Sequence, residues 1–319
     1  MTISIQQDAV IQQETARTGA PALERYVVST GLGPVTVHVQ QGTQPASTAA
    51  TVYLHGAAGS WTTFEPLLAK APDIDRVLVD LPGWGESTAG VRPEELSVET
   101  MGRAVVGILD SLGYRRWSLV GHSMGGFLAL HLAARWPERV ARVAAISATT
   151  FAVAEAAQGP LRRLPGFPAF VGMLLAMRSM AALGTSGSAL IRAVGATPLM
   201  GLVLSPLFAD PSAVPRHVIR RLAADARPAS FDAAVRASVD YDFDQWRAIR
   251  CPVLATRGDS DVFTPPSDLF RLAGVVPHAR LETIPRCGHF ANIEQPAFLQ
   301  RLLDQPSVQL PDIQGTAVS

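Results

Sequence analysis

Val35, Val37 and Val39 alternate with Thr36, His38 and Gln40, the period of two expected of a half-buried strand, because successive side chains point to opposite faces. Beyond the turn-like stretch QGTQPAS the pattern changes to short β-branched runs separated by helical segments. TVYL (51–54), RVLV (76–79), WSLV (117–120), RVAAIS (142–147), PVLAT (252–256) and ARLETI (279–284) read as buried strands. Residues 98–112, 127–136, 267–275 and 296–303 read as helices. Strands alternating with helices imply βαβ units, and therefore an α/β chain with a mostly parallel central sheet flanked by helices.

The alternation fails between residues 149 and 248, where helical patterning is scattered among Gly and Pro. Structureless loops of that length are uncommon in compact chains, so an inserted, mainly helical cap or lid is expected here. The core would then lie on either side of it, at 26–148 and 249–304. Residues 1–25 show no periodicity and are expected to form an N-terminal arm, and 305–319 a C-terminal tail. Between Arg163 and Asp210 the only charged residues are Arg178 and Arg192, both read as solvated surface charges. Ligand sites are mostly apolar and favour junctions between lobes. Some apolar side chains of the insertion are therefore expected to line a substrate pocket, with Met173, Met177 and Met180 as candidates.

Composition narrows the class. Hydrophobic residues make up 48% and charged residues 17%, enough for a core of ordinary size. Lys+Arg and Asp+Glu balance at 27 each, leaving no basic footprint for nucleic acid or an anionic membrane. Cys251 and Cys287 are the only cysteines and have neither CxxC nor zinc-ligand spacing, so no metal and no disulfide framework are expected. Two thiols suit a reducing cytoplasm. The start MTISIQQDAVIQQETARTG mixes Gln, Asp and Glu and lacks the apolar run of a signal peptide. The nearest approach to a membrane span, residues 193–209, is interrupted by Pro198 and Pro206. A soluble, cytoplasmic protein without a transmembrane segment is expected, acting on a small molecule, its oligomeric state open.

The chemistry concentrates in three places. Gly121-His122-Ser123-Met124-Gly125 follows the strand WSLV and opens the helix FLALHLAARW, the setting of a GxSxG nucleophile elbow. Flanking residues there must nearly lack side chains so that the serine hydroxyl rises above the sheet. A serine needs a base and the base an orienting acid, in the chain order Ser, Asp or Glu, His. Asp259 and Asp261 both follow the strand PVLAT, and His289 follows ARLETI. All three emerge at the carboxyl edge where open α/β sheets bind ligands. Among the other histidines, His38 and His122 are read as packing or surface residues, His131 as a mid-helix residue, and His217 and His278 as ordinary. Ser123 is the candidate nucleophile and His289 the base; the two aspartates stay even on these grounds. An oxyanion needs two fixed backbone donors. Met124, the residue after the nucleophile, supplies one; Ala57, in the small-residue loop Leu54-His55-Gly56-Ala57-Ala58-Gly59, supplies the other.

HGAAG, DLPGWGES (80–87), GHSMGG, ARWPERV (134–140), RGDSDVFTP (257–265) and CGHFANIEQP (287–296) together resemble the successive motifs of the α/β-hydrolase superfamily. They are most similar to those of its small cap-bearing esterases, lactonases and C–C bond hydrolases. The resemblance covers about residues 50–303 and weakens through the insertion. It implies the α/β-hydrolase fold with a cap, no cofactor, and Asp261 as the acid, the fourth residue of a G-x-x-D segment. Asp80 falls in a structural motif. A Ser123–His289–Asp261 serine hydrolase cleaving an uncharged, apolar carboxylic ester is the leading expectation. A lactonase, thioesterase or C–C bond hydrolase would use the same residues, and a small-molecule receptor of this fold is the reading from another class.

Overall fold

The computed structural model describes residues 12–15, 23–44, 47–69 and 72–305. Nine strands form one sheet among these residues: β1 Gln12–Thr15, β2 Leu23–Thr30, β3 Gly33–Gln40, β4 Ala49–Leu54, β5 Asp75–Val79, β6 Arg116–His122, β7 Val140–Ile146, β8 Val253–Gly258 and β9 Arg280–Ile284. Their order is β1-β2-β3-β5-β4-β6-β7-β8-β9. The first three strands join antiparallel, and β3 meets β5 antiparallel. From β5 to β9 every pairing is parallel. The chain runs from β4 out to β5 and then crosses back to β6, so connections leave β4 and β6 in opposite directions. That reversal opens a crevice beyond their carboxyl ends.

One correction concerns the N-terminal arm. β1 and the start of β2 fall inside residues 1–25, so part of that stretch belongs to the sheet. β2 escapes the apolar-alternation test because Tyr26 donates to Glu24 at 2.5 Å and Arg25 pairs with Glu86 at 2.8 Å. Its polar side chains are satisfied in place, and ladder bonds to β3 do the rest. Residues 1–11, 16–22 and 306–319 lie outside the described residues.

Among the described residues twelve α-helices accompany the sheet. α1, Val98–Ser111, starts in a capping box made by Ser97 and Thr100, and its apolar stripe Met101, Val105, Ile108, Leu109 is buried against the sheet. α2, Met124–Arg135, is buried on all sides from Met124 to Ala134, which holds the segment following the GxSxG turn in place. Between β7 and β8 the chain forms α3 Phe151–Gln158, α4 Pro160–Arg163, α5 Pro168–Ala182, α6 Gly184–Gly195, α7 Leu199–Leu204, α8 Arg216–Ala224 and α9 Pro228–Ala237. α10 Pro266–Val275 precedes β9, and α11 Ala291–Glu294 and α12 Pro296–Asp304 follow it. Gln158 at the end of α3 donates from Nε2 to the Val239 carbonyl just after α9, at 3.0 Å. The excursion therefore returns to within one hydrogen bond of where it left.

Side-chain alternation divides the core. Val52 and Leu54 of β4 join one buried cluster and Tyr53 the cluster on the opposite face. A third cluster lies among the inserted helices, built on Phe170, Val171 and Leu174 of α5, and it takes in Phe263 and Phe290 from the loops after β8 and β9. The inserted helices thus rest on the carboxyl edge of the sheet.

Candidate active site

Ser123 sits between β6 and α2 with φ 54° and ψ −118°, a conformation costing a non-glycine residue about 1–3 kcal/mol. Its surroundings enforce that geometry. Ser123 N–H donates to Ile146 O at 2.9 Å, and Ser123 O accepts from Gly126 and Phe127 N–H at 3.0 and 3.1 Å. The flanking glycines are required by close approach: a Cβ on Gly121 would lie 2.1 Å from the Gly125 carbonyl oxygen, and one on Gly125 only 1.9 Å from that of Leu54.

His289 Nε2 is 3.0 Å from Ser123 Oγ, and His289 Nδ1 is 3.0 and 3.1 Å from the two Asp261 carboxylate oxygens. A carboxylate only accepts, so Nδ1 carries the proton and Nε2 is left to accept from the serine hydroxyl. All three side chains are buried. Asp261 is anchored by Phe263 and Thr264 N–H, at 2.8 and 3.0 Å from Oδ1. Burial alone would raise its pKa, but the adjoining His289 imidazole, the Phe263 N–H and the Ser147 hydroxyl hold it below the ordinary carboxylate value.

The two aspartates of the loop after β8 have different jobs. Asp259 is exposed and accepts from Arg286 N–H at 2.8 Å and Cys287 N–H at 3.1 Å, which lowers its pKa. It shapes the turn that carries His289, in which Arg286 has φ 51°, and does not touch the imidazole.

The loop after β4 approaches from the other side. His55 Nδ1 donates to Gly56 O at 2.8 Å and Nε2 accepts from Leu81 N–H at 2.9 Å; burial pushes its pKa down to about 4. A Cβ on Gly56 would lie 2.9 Å from Ser123 Cβ, so only glycine lets this loop come so close. Among the described residues, the N–H groups of Ala57 and Met124 have no protein acceptor. Two free donors beside a serine hydroxyl, one of them at the positive end of α2, suit an anionic oxygen. Asp80, just after β5, ties the loop after β4 to the one after β5, accepting from Trp61 N–H at 2.8 Å and Glu86 N–H at 2.9 Å; burial raises it to about 6.

The remaining histidines stay away from the serine hydroxyl. His122 turns its ring between His289 and Phe290, with centroids 4.9 and 4.7 Å away, and burial pushes it to about 3. His131 meets Tyr241 Oη at 3.0 Å, His38 lies on Trp61, and His278 reaches the Cys251 carbonyl.

Ser123 opens into a cavity of about 500 Å³ beneath the inserted helices. Met173, Met177 and Met180 of α5 all line it, and Met124 and Met200 join them, so five of the seven methionines face this space. Sequence reasoning misses Phe170, Val203, Phe231 and Phe290, which also line it. Their only signal is apolarity, shared with every core residue. No Arg, Lys, Asp or Glu is in the lining. Arg178 requires a correction. It is not a solvated charge but bonds the buried Asp232 at 2.8 Å, an aspartate shared with Arg236 at 2.5 Å. Among the described residues no three His, Cys, Asp or Glu side chains are grouped to hold a metal ion, and no single helix is long and apolar enough to cross a membrane.

A family model described as alpha/beta hydrolase fold matches residues 52–296. The 2-hydroxy-6-oxononadienedioate/2-hydroxy-6-oxononatrienedioate hydrolase of Cupriavidus pinatubonensis is 28% identical, over 91% of this chain and 92% of that protein. A thermophilic esterase from Thermogutta terrifontis superposes with a TM-score of 0.65 at 21% identity, covering 88% of this chain and 96% of its own. An N-acyl homoserine lactone degrading enzyme superposes at 0.62 and 21% identity, covering 84% and 96%.

Proposed function

The chain belongs to the alpha/beta hydrolase fold family, and from that premise we propose that it is a serine hydrolase of uncharged, largely apolar carboxylic esters. The observation that carries this reading is the Ser123–His289–Asp261 hydrogen-bonded chain at the floor of a cavity without a charged lining residue.

In the proposed reaction Ser123 Oγ attacks the ester carbonyl as His289 Nε2 takes its proton. Asp261 fixes the tautomer and stabilises the imidazolium that forms. The carbonyl electron pair moves onto oxygen, which the Ala57 and Met124 N–H groups receive; such donors are each worth about 3–4 kcal/mol in the transition state. Collapse expels the alcohol, which takes the proton from His289. Water then attacks the acyl-enzyme with His289 as base, releasing the acid and restoring Ser123. The inserted helices act as a cap, covering the site and keeping bulk water out.

Charge separates this reading from that of the sequence relatives. The Cupriavidus enzyme is named for a dioate, a doubly charged substrate. A carboxylate placed in this cavity would be desolvated with no Arg or Lys to meet it, at a cost of several kcal/mol. A lactone is an uncharged cyclic ester that the same residues would open. The fold's likeness to a lactone-degrading enzyme makes it the second reading.

The deciding experiment is hydrolysis of p-nitrophenyl esters of increasing acyl length by wild type and Ser123→Ala. Turnover with a chain-length optimum, lost in the variant, is expected. Labelling of Ser123 by a fluorophosphonate without turnover of any ester would overturn the ester reading and leave lactones and C–C substrates to test. Tight ligand binding unaffected by Ser123→Ala, without turnover, would identify a receptor.

A further inference from the structure

The cap carries an apolar surface on its outer side as well as a cavity on its inner side. On α7, Leu199, Leu202 and Val203 are 53%, 70% and 57% exposed, three and four residues apart and so on one helical face. Leu183, just before α6, and Leu190, on it, are exposed as well. Isolated exposed leucines are ordinary; a run on adjoining elements marks an interaction site. Val203 belongs to both sides, since it also lines the cavity over Ser123. Val203 thus stands where the cavity meets the exterior.

Charge selects the occupant. The whole chain is neutral, but the neutrality is unevenly spread. Residues 156–224 contain seven arginines and a single acid, Asp210; Arg163, Arg178 and Arg221 are paired with Glu155, Asp232 and Glu65 outside that stretch. Arg192 on α6 and Arg216 and Arg220 on α8 are exposed, and none has an ion pair among the described residues. Arg192 is on α6 itself, and α8, which carries the other two, packs against both α6 and α7. A twofold contact between copies would bring these cations close to their own images. An anionic lipid surface meets both features at once, accepting apolar side chains between its head groups and attracting arginine. α6 together with Leu199–Leu207 has the length and apolarity of a membrane span but bends by 100° at the break. That shape suits lying in an interface, with the apolar side down.

We infer that the α6–α7 face of the cap docks this protein on an anionic lipid surface, from which apolar ester passes by Val203 into the cavity without crossing bulk water. The entry step rests on the ester-hydrolase reading; the docking step does not.

The test is co-sedimentation of the full chain with vesicles of phosphatidylcholine alone and of phosphatidylcholine mixed with phosphatidylglycerol. Wild type is expected to bind the anionic vesicles about tenfold or more tightly than the neutral ones. The double substitution Leu199→Glu, Leu202→Glu, at exposed positions outside the cavity, is expected to lose that binding while a short water-soluble ester is still hydrolysed. Arg216→Gln with Arg220→Gln is expected to lose the preference for anionic lipid alone. Ser123→Ala is expected to bind as wild type, so vesicle binding without turnover of any ester would sink the ester reading and spare the docking. Wild type failing to bind either vesicle, or the Leu199/Leu202 variant binding as wild type, would overturn the inference. So would a dimer in light scattering that this same variant dissociates, since the face would then belong to a second copy.

Discussion

His122 donates a hydrogen bond from Nε2 to the backbone carbonyl of His289, 2.9 Å away across 167 residues of sequence. The neighbour of Ser123 in the chain thus holds the backbone of the residue that bonds Ser123 in space. Replacing His122 with Ala leaves a buried carbonyl without its donor, a loss of about 1–3 kcal/mol. Thermal unfolding is expected to register that loss, and kcat on an ester to fall with little change in KM. Unchanged kcat and unchanged Tm would show the contact to be idle.

Asp261→Asn is expected to cost about 10⁴-fold in kcat, the scale of an orienting acid, because the amide neither fixes the Nδ1–H tautomer nor stabilises imidazolium. Asp259→Asn weakens the bonds from Arg286 and Cys287 N–H and from the Ser260 hydroxyl, none of which reaches His289. It is expected to lower stability by about 1 kcal/mol and to leave most of the activity. Steady-state kinetics on the pair, beside a denaturant titration, would expose a reversed assignment.

Two replacements of Ser123 separate chemistry from strain. Ala and Gly both remove the hydroxyl, and both are expected to abolish hydrolysis. Only Gly adopts φ 54° without penalty, so Ser123→Gly is expected to be more stable than Ser123→Ala by about 0.5–1 kcal/mol. Equal melting temperatures would mean that the turn relaxes when the serine is lost.

The lining sets the acyl specificity. Each methylene that enters the cavity is worth about 0.8 kcal/mol, so kcat/KM is expected to rise up to about fourfold per carbon until the space is filled. Met177→Trp narrows the cavity from α5 and is expected to move the optimum to shorter acyl chains. An optimum that stays in place would put the acyl group elsewhere.

Acid is expected to unfold the protein early. Burial lowers His38, His55 and His131 to about 4 and His122 to about 3. Each contributes stability that is present above the unfolded value of about 6.5 and is lost as pH falls toward 4. Asp80, raised to about 6, acts in the opposite sense: the native state binds its proton first, which favours folding as pH falls from 6 toward 4. These four histidines and Asp80 together take up about three protons on unfolding near pH 5, roughly 4 kcal/mol per pH unit, a slope that Asp268 and Glu294, also raised by burial, reduce. Denaturant titrations at pH 7, 6 and 5 should show that slope; a flat profile would mean that these histidines are wet in solution.

The parallel strands can be read from the sequence because strands buried on both faces are continuous apolar runs, as in TVYL and RVLV. β2 cannot, since Glu24 and Tyr26 bond each other and Arg25 pairs with Glu86 beside the sheet. Ser123 and His289 stand out by order and by position at strand ends. Asp259 and Asp261 do not separate, being the same residue type two positions apart in one loop; only side-chain direction distinguishes them, and family resemblance rather than local pattern favours Asp261. Arg178 is misjudged for a related reason. Its partner Asp232 lies 54 residues away, and no periodicity reports such a pairing. The cavity wall is the least legible part, because an apolar side chain facing a void and one facing a neighbour are written alike.

The hydrogen bond from Gln158 to Val239 draws the excursion into a ring, which also meets the site where His289 N–H donates to the Leu207 carbonyl at 2.7 Å. Loop-closure entropy grows only slowly with length, so residues can be added to or deleted from that ring at little thermodynamic cost to the sheet. Inheritance can therefore remodel what the protein recognises elsewhere in the ring, while the reacting groups keep their geometry as long as the Leu207 carbonyl keeps its place against His289.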